Sequence, residues 1–276
     1  MAVRIGKKKV KQAIIAALFL AVTLTFIPVI TAVYLVCGLL DVIRNERRDF
    51  YLFQRYFSGN GFTTWLVAPL NLLLDLVSHR NRKIYRPEDF SEDCQAELDT
   101  VLSFFRDNKD TVIRRIDSEL GPDAKRGMFL FRWFGQRYNR EFEPLNGDFR
   151  HIRTIAVSVF QGTERTNFHF GPLRLTLRAL YNLTPVKDAE VFIECGKTKH
   201  YWADDPLFIF DDTLMHRSVN DHDGRRYVVF MDLIRPSPVP ALLRAFMVPV
   251  SWAATAFKSI YYRRWTMMGI GKAPAE

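Results

Sequence analysis

The stretch HFGPLRLTLRALYNLTPV, residues 169–186, joins a histidine beside Gly and Pro to a short run of strand-forming character. Four similar runs lie around it, separated by Gly, Pro and Asp or Asn turns: IRTIAVSVF at 152–160, EVFIEC at 190–195, PLFIF at 206–210 and RYVVFMDLI at 226–234. Several short strands at this spacing predict a mainly β fold, a jelly roll or double-stranded β-helix, and not a doubly wound sheet.

Three residues of this β-rich region suggest a site for a metal and an anion together. His169 in HFGP is followed by His216 in FDDTLMH, and Arg226 lies ten residues after His216. Two imidazoles could ligate one iron. Arg226 stands in a strand of alternating apolar residues, where a buried guanidinium needs an anion such as the distal carboxylate of a keto acid. The pattern predicts oxygenase chemistry.

The same segments resemble a known family. The motifs HFGP, LTLRALYNLTPV, FDDTLMHRSVN and RRYVVFMDLIRP, with Trp202 before the second His, follow that order between Ile152 and Pro236, about a third of the chain. They resemble the aspartyl/asparaginyl β-hydroxylases, a family of Fe(II)/2-oxoglutarate dioxygenases. Within the family, the hydrophobic N-terminus and the segment WLVAPLNLLLDLVS (65–78) are similar to the membrane-attached bacterial branch that hydroxylates acyl chains of lipid A.

The resemblance implies a metal site with an uncommon ligand set. His169 and His216 would ligate Fe(II), and the position two after His169, where most dioxygenases carry a carboxylate, is Gly171. The family is known for a two-His site with Gly at that position, and water would fill the vacant place. Asp211 and Asp212 would hold the loop before His216 and orient its imidazole.

The resemblance also implies residues for the cosubstrate and the substrate. Arg226 and Ser158 would bind the distal carboxylate of 2-oxoglutarate, and Arg178 would line the site near the iron-bound keto acid or the substrate. Where many relatives have a His two residues after that Arg, this chain has Leu180. The apolar side chain suits an acyl chain better than an acidic peptide. Trp202 is expected to pack under the site.

Composition limits the partners. The chain has 276 residues, a net charge of +9 and a pI near 9.5, which favours an anionic partner. Nucleic acid is not predicted, because no nucleic-acid motif is found. Three widely spaced cysteines form no CxxC pair, so the sequence supports neither a disulfide scaffold nor a zinc ribbon and fits a reducing compartment.

The N-terminal part predicts membrane attachment. The run from Gln12 to Leu40 carries no charge and would be about 43 Å long as one helix, against roughly 30 Å of hydrocarbon. Pro28 could kink one long helix or divide it into a re-entrant hairpin. Basic residues flank the run on both sides, which favours both ends inside. We expect a bacterial inner-membrane protein with its catalytic domain facing the cytoplasm.

The chain divides into four predicted regions. Residues 1–45 form a membrane anchor and residues 46–125 a helical or interfacial region. Within the latter, Phe62 to Val77 suits either an interfacial helix or a plain buried helix, and Glu88 to Leu120 a helical pack against the sheet. Residues 126–236 form the double-stranded β-helix catalytic domain. Residues 237–276 form a basic amphipathic segment, in which Val239 to Ile270 is typical of membrane-surface helices.

The sequence therefore predicts a 2-oxoglutarate-dependent dioxygenase that hydroxylates a secondary acyl chain of lipid A at the carbon next to its carbonyl. The cofactors are Fe(II), 2-oxoglutarate as cosubstrate, and dioxygen. Alternatives are an ornithine-lipid acyl hydroxylase, a peptidyl Asp/Asn β-hydroxylase and a non-catalytic membrane-bound domain that binds lipid. A zinc hydrolase is disfavoured, because the pattern offers two His without a third protein ligand.

Overall fold

The structure is a computed structural model that describes residues 18, 21–121, 123–187, 190–221, 223–256 and 265–269. Its helices are, in chain order, α1 (Pro28–Val42), α2 (Phe50–Ser58), α3 (Phe62–Leu66), α4 (Ala68–Leu76), α5 (Glu92–Asp107), α6 (Lys109–Glu119) and α7 (Pro240–Ala256). Residues 21–26 are also helical, and short 3-10 turns lie at Pro87–Asp89 and Glu143–Asn146.

The strands form two sheets. They are β1 (Ile84–Tyr85), β2 (Arg126–Trp133), β3 (Gln136–Arg137), β4 (Ile152–Gln161), β5 (Glu164–Arg165), β6 (Thr176–Asn182), β7 (Val191–Cys195), β8 (Thr198–Tyr201), β9 (Leu207–Phe210), β10 (His216–Asn220), β11 (Arg225–Ile234) and β12 (Thr266–Met268). The larger sheet has the order β1-β9-β6-β11-β4-β2-β12, with β3 beside β2. The smaller sheet has the order β5-β10-β7-β8.

The chain passes back and forth between the two sheets. From β4 to β11, strands β4, β6, β9 and β11 enter the larger sheet, and β5, β7, β8 and β10 enter the smaller one. All pairs among these eight strands are antiparallel. This is the strand arrangement of a jelly roll, so the mainly β prediction is confirmed. Strands β1 and β12 join the larger sheet from outside residues 126–236.

Apolar side chains cover both faces of the larger sheet. On the outer face, α5 and α6 pack Leu98, Phe105 and Ile116 against strand residues such as Val157 and Val229. On the inner face, residues of both sheets meet in one cluster: Val186, Val191, Ile193, Cys195, Trp202, Phe208, Phe210, Leu214 and Val228. Alternation along each strand produces this division, and the interior between the sheets is where the candidate site lies.

Helices α1–α4 and α7 form what we call the helical layer. Leu74 of α4 packs with Leu243 and Met247 of α7, and Trp65 of α3 donates from Nε1 to the Tyr34 carbonyl of α1 at 2.9 Å. A Cβ at Gly38 of α1 would meet the Trp65 ring at 2.5 Å, so close packing there requires glycine.

The helical layer has an apolar outer surface. Among the described residues, the large hydrophobic side chains that remain exposed all lie within residues 18–76 or 239–252. Val29 is 74% exposed, Leu76 82% and Trp252 75%. The charged helices α5 and α6 contribute no exposed large hydrophobic side chain. Exposed large hydrophobic side chains that are concentrated on a few helices in this way indicate an interaction surface.

The predicted N-terminal span is described in part. Pro28 is the first residue of α1, and Ile27 before it has φ −138° and ψ 56°, which interrupts the helix between residues 26 and 28. Gln12 to Ala17, with the basic residues before them, lie outside the described residues, as does the 257–264 part of the predicted C-terminal surface segment. In the described ranges, no helix combines the length and the apolar character that a membrane crossing requires.

Candidate metal and cosubstrate site

His169 and His216 lie directly opposite each other. They form an isolated antiparallel bridge in which each backbone N–H donates to the other residue's carbonyl, at 2.9 and 3.0 Å. Residues directly opposite in such a pair point their side chains to the same face. The two imidazole centroids are accordingly 4.1 Å apart. The chain therefore brings together two histidines that are separated by the whole of β6–β9.

Both imidazoles are fixed in orientation by backbone carbonyls. Nδ1 of His169 lies 2.8 Å from the Asn167 carbonyl, and Nδ1 of His216 lies 2.9 Å from the Leu214 carbonyl. A carbonyl partner requires the proton on Nδ1 and leaves Nε2 as a lone-pair donor. Burial lowers the pKa of His169 to about 4 and that of His216 well below its usual value. Both rings are thus neutral at pH 7, as metal ligation needs.

The space beside Gly171 is filled by Asp212. A Cβ at Gly171 would lie 2.5 Å from the carboxylate atoms of Asp212, and the Gly171 N–H donates to the Asp212 carbonyl. A side chain at 171 therefore cannot coexist with the present position of Asp212. Burial raises the pKa of the Asp212 carboxyl to about 7, although the neighbouring Arg178 opposes this shift. The absence of the usual carboxylate at 171 has a steric reason that the sequence did not reveal.

Arg178 joins Asp212 to the larger sheet. Its Nη2 donates to Asp212 at 2.8 Å and its Nε to Asp232 at 2.9 Å, while its guanidinium carbon lies 3.6 Å from the centre of the Phe230 ring. Arg178 is paired in register with Asp232 of β11 and with Phe210 of β9. The geometry places Arg178 at the metal end of the interior, and its predicted contact with keto acid or substrate stays a prediction.

Arg226 is a buried cation without an acidic partner among the described residues. It is 1% exposed, and its guanidinium carbon lies 5.1 Å from the Phe160 ring centre and 5.6 Å from that of Trp202. Nη2 donates to the Ser218 hydroxyl at 2.9 Å, whereas Nε and Nη1 are buried with no partner. Burial lowers the pKa of Arg226 to about 9, so it remains a cation at pH 7.

Ser218 fixes the distance between this cation and the histidines. It stands two residues after His216 on β10, so both side chains face the interior, roughly 7 Å apart along the strand. That separation matches a short dicarboxylate held by a metal at one end and a guanidinium at the other. Sequence reasoning missed Ser218, although its i+2 spacing from His216 in HRSVN was a usable signal.

Ser158 lies in the same interior. It faces Val228 in the β4–β11 register, next to the Phe160–Arg226 pair, and its hydroxyl donates to the Val228 carbonyl at 3.2 Å. Its predicted share in a carboxylate contact stays a prediction. Leu180 is paired in register with Phe208 and Phe230, which makes the adjoining wall apolar.

Asp211 holds the loop before His216, as expected, but the His216 imidazole is oriented by the Leu214 carbonyl and not by a carboxylate of the described residues. Asp211 is fully buried and accepts bonds from the Thr213 N–H and from Arg44, both at about 3 Å, and from Asn81. Burial would raise its pKa, but Arg44 and Arg174 outweigh burial and hold the pKa below the usual range. The expectation that these acids orient the imidazole is corrected, because the Leu214 carbonyl does so.

The donor set fits a metal with few protein ligands. Two neutral imidazoles converge with free Nε2 atoms, and Asp212 occupies the adjoining space. In the part of the chain that the structure describes, no group of three or more His, Cys, Asp or Glu side chains has the arrangement of a metal site. The Arg226 guanidinium, which has two nitrogens without a partner among the described residues, faces the same interior and suits a bound carboxylate. The residues present thus suit an iron and a keto acid.

Comparison with known proteins agrees with this geometry. Residues 140–236 match the family described as aspartyl/asparaginyl beta-hydroxylase. The ornithine lipid ester-linked acyl 2-hydroxylase of Rhizobium tropici is 24% identical over 169 residues, which cover 58% of this chain and 57% of that protein. The chain thus spans little more than half of that relative's length.

Solved structures with low overall similarity include two oxygenases. A prolyl hydroxylase from Trichoplax adhaerens, in complex with a hypoxia inducible factor peptide, has 13% identity and a TM-score of 0.33, with 73% of this chain and 98% of that chain covered. A 2OG-Fe(II) oxygenase family oxidoreductase from Burkholderia pseudomallei has 12% identity and a TM-score of 0.31, with coverages of 46% and 79%.

The matched region contains His169, His216, Arg226 and every strand from β4 to β11. The match over these residues supports the resemblance to the aspartyl/asparaginyl β-hydroxylases that the motifs indicated.

Proposed function

We propose that the protein is an Fe(II)- and 2-oxoglutarate-dependent dioxygenase that hydroxylates a secondary acyl chain of lipid A. His169 and His216 would hold the iron, and Arg226, with Ser218 and Ser158 nearby, would hold the distal carboxylate of 2-oxoglutarate. When bound, iron and 2-oxoglutarate activate dioxygen, and the keto acid is converted to succinate and carbon dioxide. The chain's own residues would bind and orient these groups.

One observation carries the proposal. Arg226 is fully buried, has two nitrogen positions without a partner among the described residues, and is tied through Ser218 to the strand that begins with His216. A buried guanidinium without an anion is costly, and a carboxylate with bidentate geometry satisfies it. Two converging imidazoles and an unsatisfied guanidinium at this spacing support the proposal of a site for an iron-bound keto acid.

Support for a lipid substrate comes from two surfaces. The interior wall beside the site is apolar at Leu180, Phe208 and Phe230, which suits an acyl chain. The outer surface of the helical layer is apolar too, and it lies on helices that adjoin the site. An enzyme confined to a bilayer surface meets lipid substrates at a raised effective concentration.

Ornithine lipid is the second candidate substrate. The relative from Rhizobium tropici is described by its action on an ornithine lipid acyl chain. We rank lipid A first because the net charge of +9 suits a phosphorylated glycolipid better than a zwitterionic lipid.

Attachment to the bacterial inner membrane with a cytoplasmic-facing domain is part of the proposal. Its support is the uncharged run to Leu40, the basic residues on both sides of it and the exposed apolar helical layer. Protease treatment of inverted inner-membrane vesicles tests the orientation. Digestion of the catalytic domain is expected, and a domain protected in those vesicles contradicts it.

The substrate is tested by mass spectrometry of total lipids from a deletion strain. We expect lipid A to lose the mass of one oxygen atom and to regain it when the wild-type gene or a His151→Ala control is returned, but not with His169→Ala. Intact lipid A hydroxylation together with a loss from ornithine lipid would transfer the assignment to the second candidate. Unchanged lipids of every class would refute lipid hydroxylation.

A further inference from the structure

The helical layer holds the main chain on both sides of the metal-binding histidines. Four of its side chains donate hydrogen bonds to main-chain carbonyls around His169, at residues 168, 170, 171 and 172. Arg55 Nε donates to the Phe168 carbonyl at 3.1 Å, Asn60 Nδ2 to the Phe170 carbonyl at 3.3 Å, Thr64 Oγ1 to the Gly171 carbonyl at 2.9 Å and Asn71 Nδ2 to the Pro172 carbonyl at 3.0 Å. The donors come from α2, the α2–α3 turn, α3 and α4.

The segment before His216 is held in the same way. The Met215 N–H donates to Oδ1 of Asn45 at 2.8 Å, just after α1, and Arg44 donates to Asp211 at 3.0 Å. Apolar contacts reinforce the bonds in a single cluster that contains Phe170 and Met215, the neighbours of the two histidines: Val42, Leu52, Tyr56, Phe170 and Met215.

Thr64 and Asn71 are buried polar residues on short, largely apolar helices. Both are fully buried, whereas Leu66, Leu73 and Leu76 of the same helices are exposed. The buried polar residues of the layer thus face the jelly roll, and these exposed leucines face outward. An unpaired buried hydroxyl or amide would be costly, and here each is matched to a carbonyl of the HFGP segment.

We propose that Thr64, Asn71 and Asn45 are positioning residues for the metal site. They fix the main chain at 171, 172 and 215, and through it the bridge that sets the two imidazoles 4.1 Å apart. The inference rests on the proposed metal site. Partners that orient ligands from outside the coordination sphere typically change metal affinity by about 10- to 100-fold.

Thr64 allows a sharp test, because valine has the same shape without the hydroxyl. Binding of Co(II) to the full-length chain is measured by calorimetry for wild type, Thr64→Val, Thr64→Ser and Thr31→Val. Thr31 is the matched control, since it is a buried threonine of the same layer whose hydroxyl donates at 3.0 Å to the carbonyl of Ile27, just before α1, and not to the HFGP segment. The thermal midpoint of each variant is recorded alongside.

We expect Thr64→Val to weaken Co(II) binding by about tenfold or more, while Thr64→Ser and Thr31→Val stay within about threefold of wild type. Wild-type affinity in Thr64→Val would overturn the inference, as would an equal loss in Thr31→Val. If Thr64→Val does not fold, Asn60→Ala removes the part-buried bond that the exposed Asn60 donates to the Phe170 carbonyl, and it is expected to lower the affinity without changing the fold. A wild-type chain that binds no Co(II) would refute the proposed metal site itself.

Discussion

Arg226 combines burial, positive charge and missing partners, and no other described contact explains its place between Phe160 and Trp202. We expect Arg226→Met to raise the apparent KM for 2-oxoglutarate by roughly 10- to 100-fold, from the loss of about 1.5–3 kcal/mol of bonds to a charged group. Metal affinity should be unchanged. Arg225→Met is the control, because Arg225 lies on the opposite face of the same strand and is paired with Asp117. Equal effects of the two changes would contradict the assignment.

The Asp212 carboxylate occupies the space that a side chain at position 171 would need. The changes in unfolding free energy caused by substituting the two residues should therefore not be additive. Gly171→Ala places a Cβ 2.5 Å from the Asp212 carboxylate and is expected to destabilise the fold. In an Asp212→Ser background the smaller side chain leaves room, and the cost of Gly171→Ala should fall by about 1 kcal/mol or more. Denaturant unfolding of the four proteins measures the coupling. Additive costs would show that the two side chains do not compete.

The buried imidazole of His169 gives the metal-free protein a defined pH dependence. Its pKa is about 4 in the folded state and 6.5 as an unburied histidine, so the unfolded chain binds more protons between these values. Wild type should therefore lose unfolding free energy relative to His169→Asn as the pH falls from about 6.5 to 4. The comparison cancels the contribution of Asp212, whose raised pKa acts in the opposite direction. A pH-independent difference would contradict the lowered pKa.

At the scale of elements, strands β4, β6 and β11 could be predicted, because each is a run of strand-forming residues bounded by Gly, Pro, Asp or Asn turns. The strands of two or three residues, β1, β3, β5 and β12, could not, since such lengths carry no periodicity. The pairing of Gly171 with Asp212 depends on residues 41 positions apart that only the folded sheets bring together. A detectable signal was Asn71 in WLVAPLNLLLDLVS. The sequence leaves the helix that carries Asn71 open between an interfacial and a plain buried helix, and the structure shows Asn71 buried and bonded to the Pro172 carbonyl.

Helix α7 is an element whose surface can be tested directly. Phe246 and Trp252 are 38% and 75% exposed on a helix whose buried residues are Leu243 and Met247. We expect the double change Phe246→Ser and Trp252→Ser to weaken binding to anionic lipid vesicles by at least about tenfold, because burying such side chains contributes about 1.5–3 kcal/mol each. Vesicle flotation measures the change. Arg114→Ser on α6 is the control, and wild-type flotation of the double variant would refute a lipid contact at α7.

In the whole molecule, the helical layer that carries the exposed apolar surface also contacts the segments of the candidate site. The helical layer presents hydrophobic side chains outward and polar side chains inward, toward the segments that carry His169 and His216. The interior between the sheets continues from these histidines past Ser218 to Arg226. The proposed lipid-contact surface, metal site and anion site thus follow one another across the fold, as the proposed function needs.

The most direct test of this account is the reaction itself, with the full-length protein in detergent, ferrous iron, 2-oxoglutarate and lipid A that lacks the acyl hydroxyl. Succinate and lipid mass are measured in the same sample. We expect lipid A to gain the mass of one oxygen atom with one succinate formed per product molecule, and both signals to disappear in His216→Ala. Absence of succinate with lipid A, with ornithine lipid and with a total lipid extract would contradict the account.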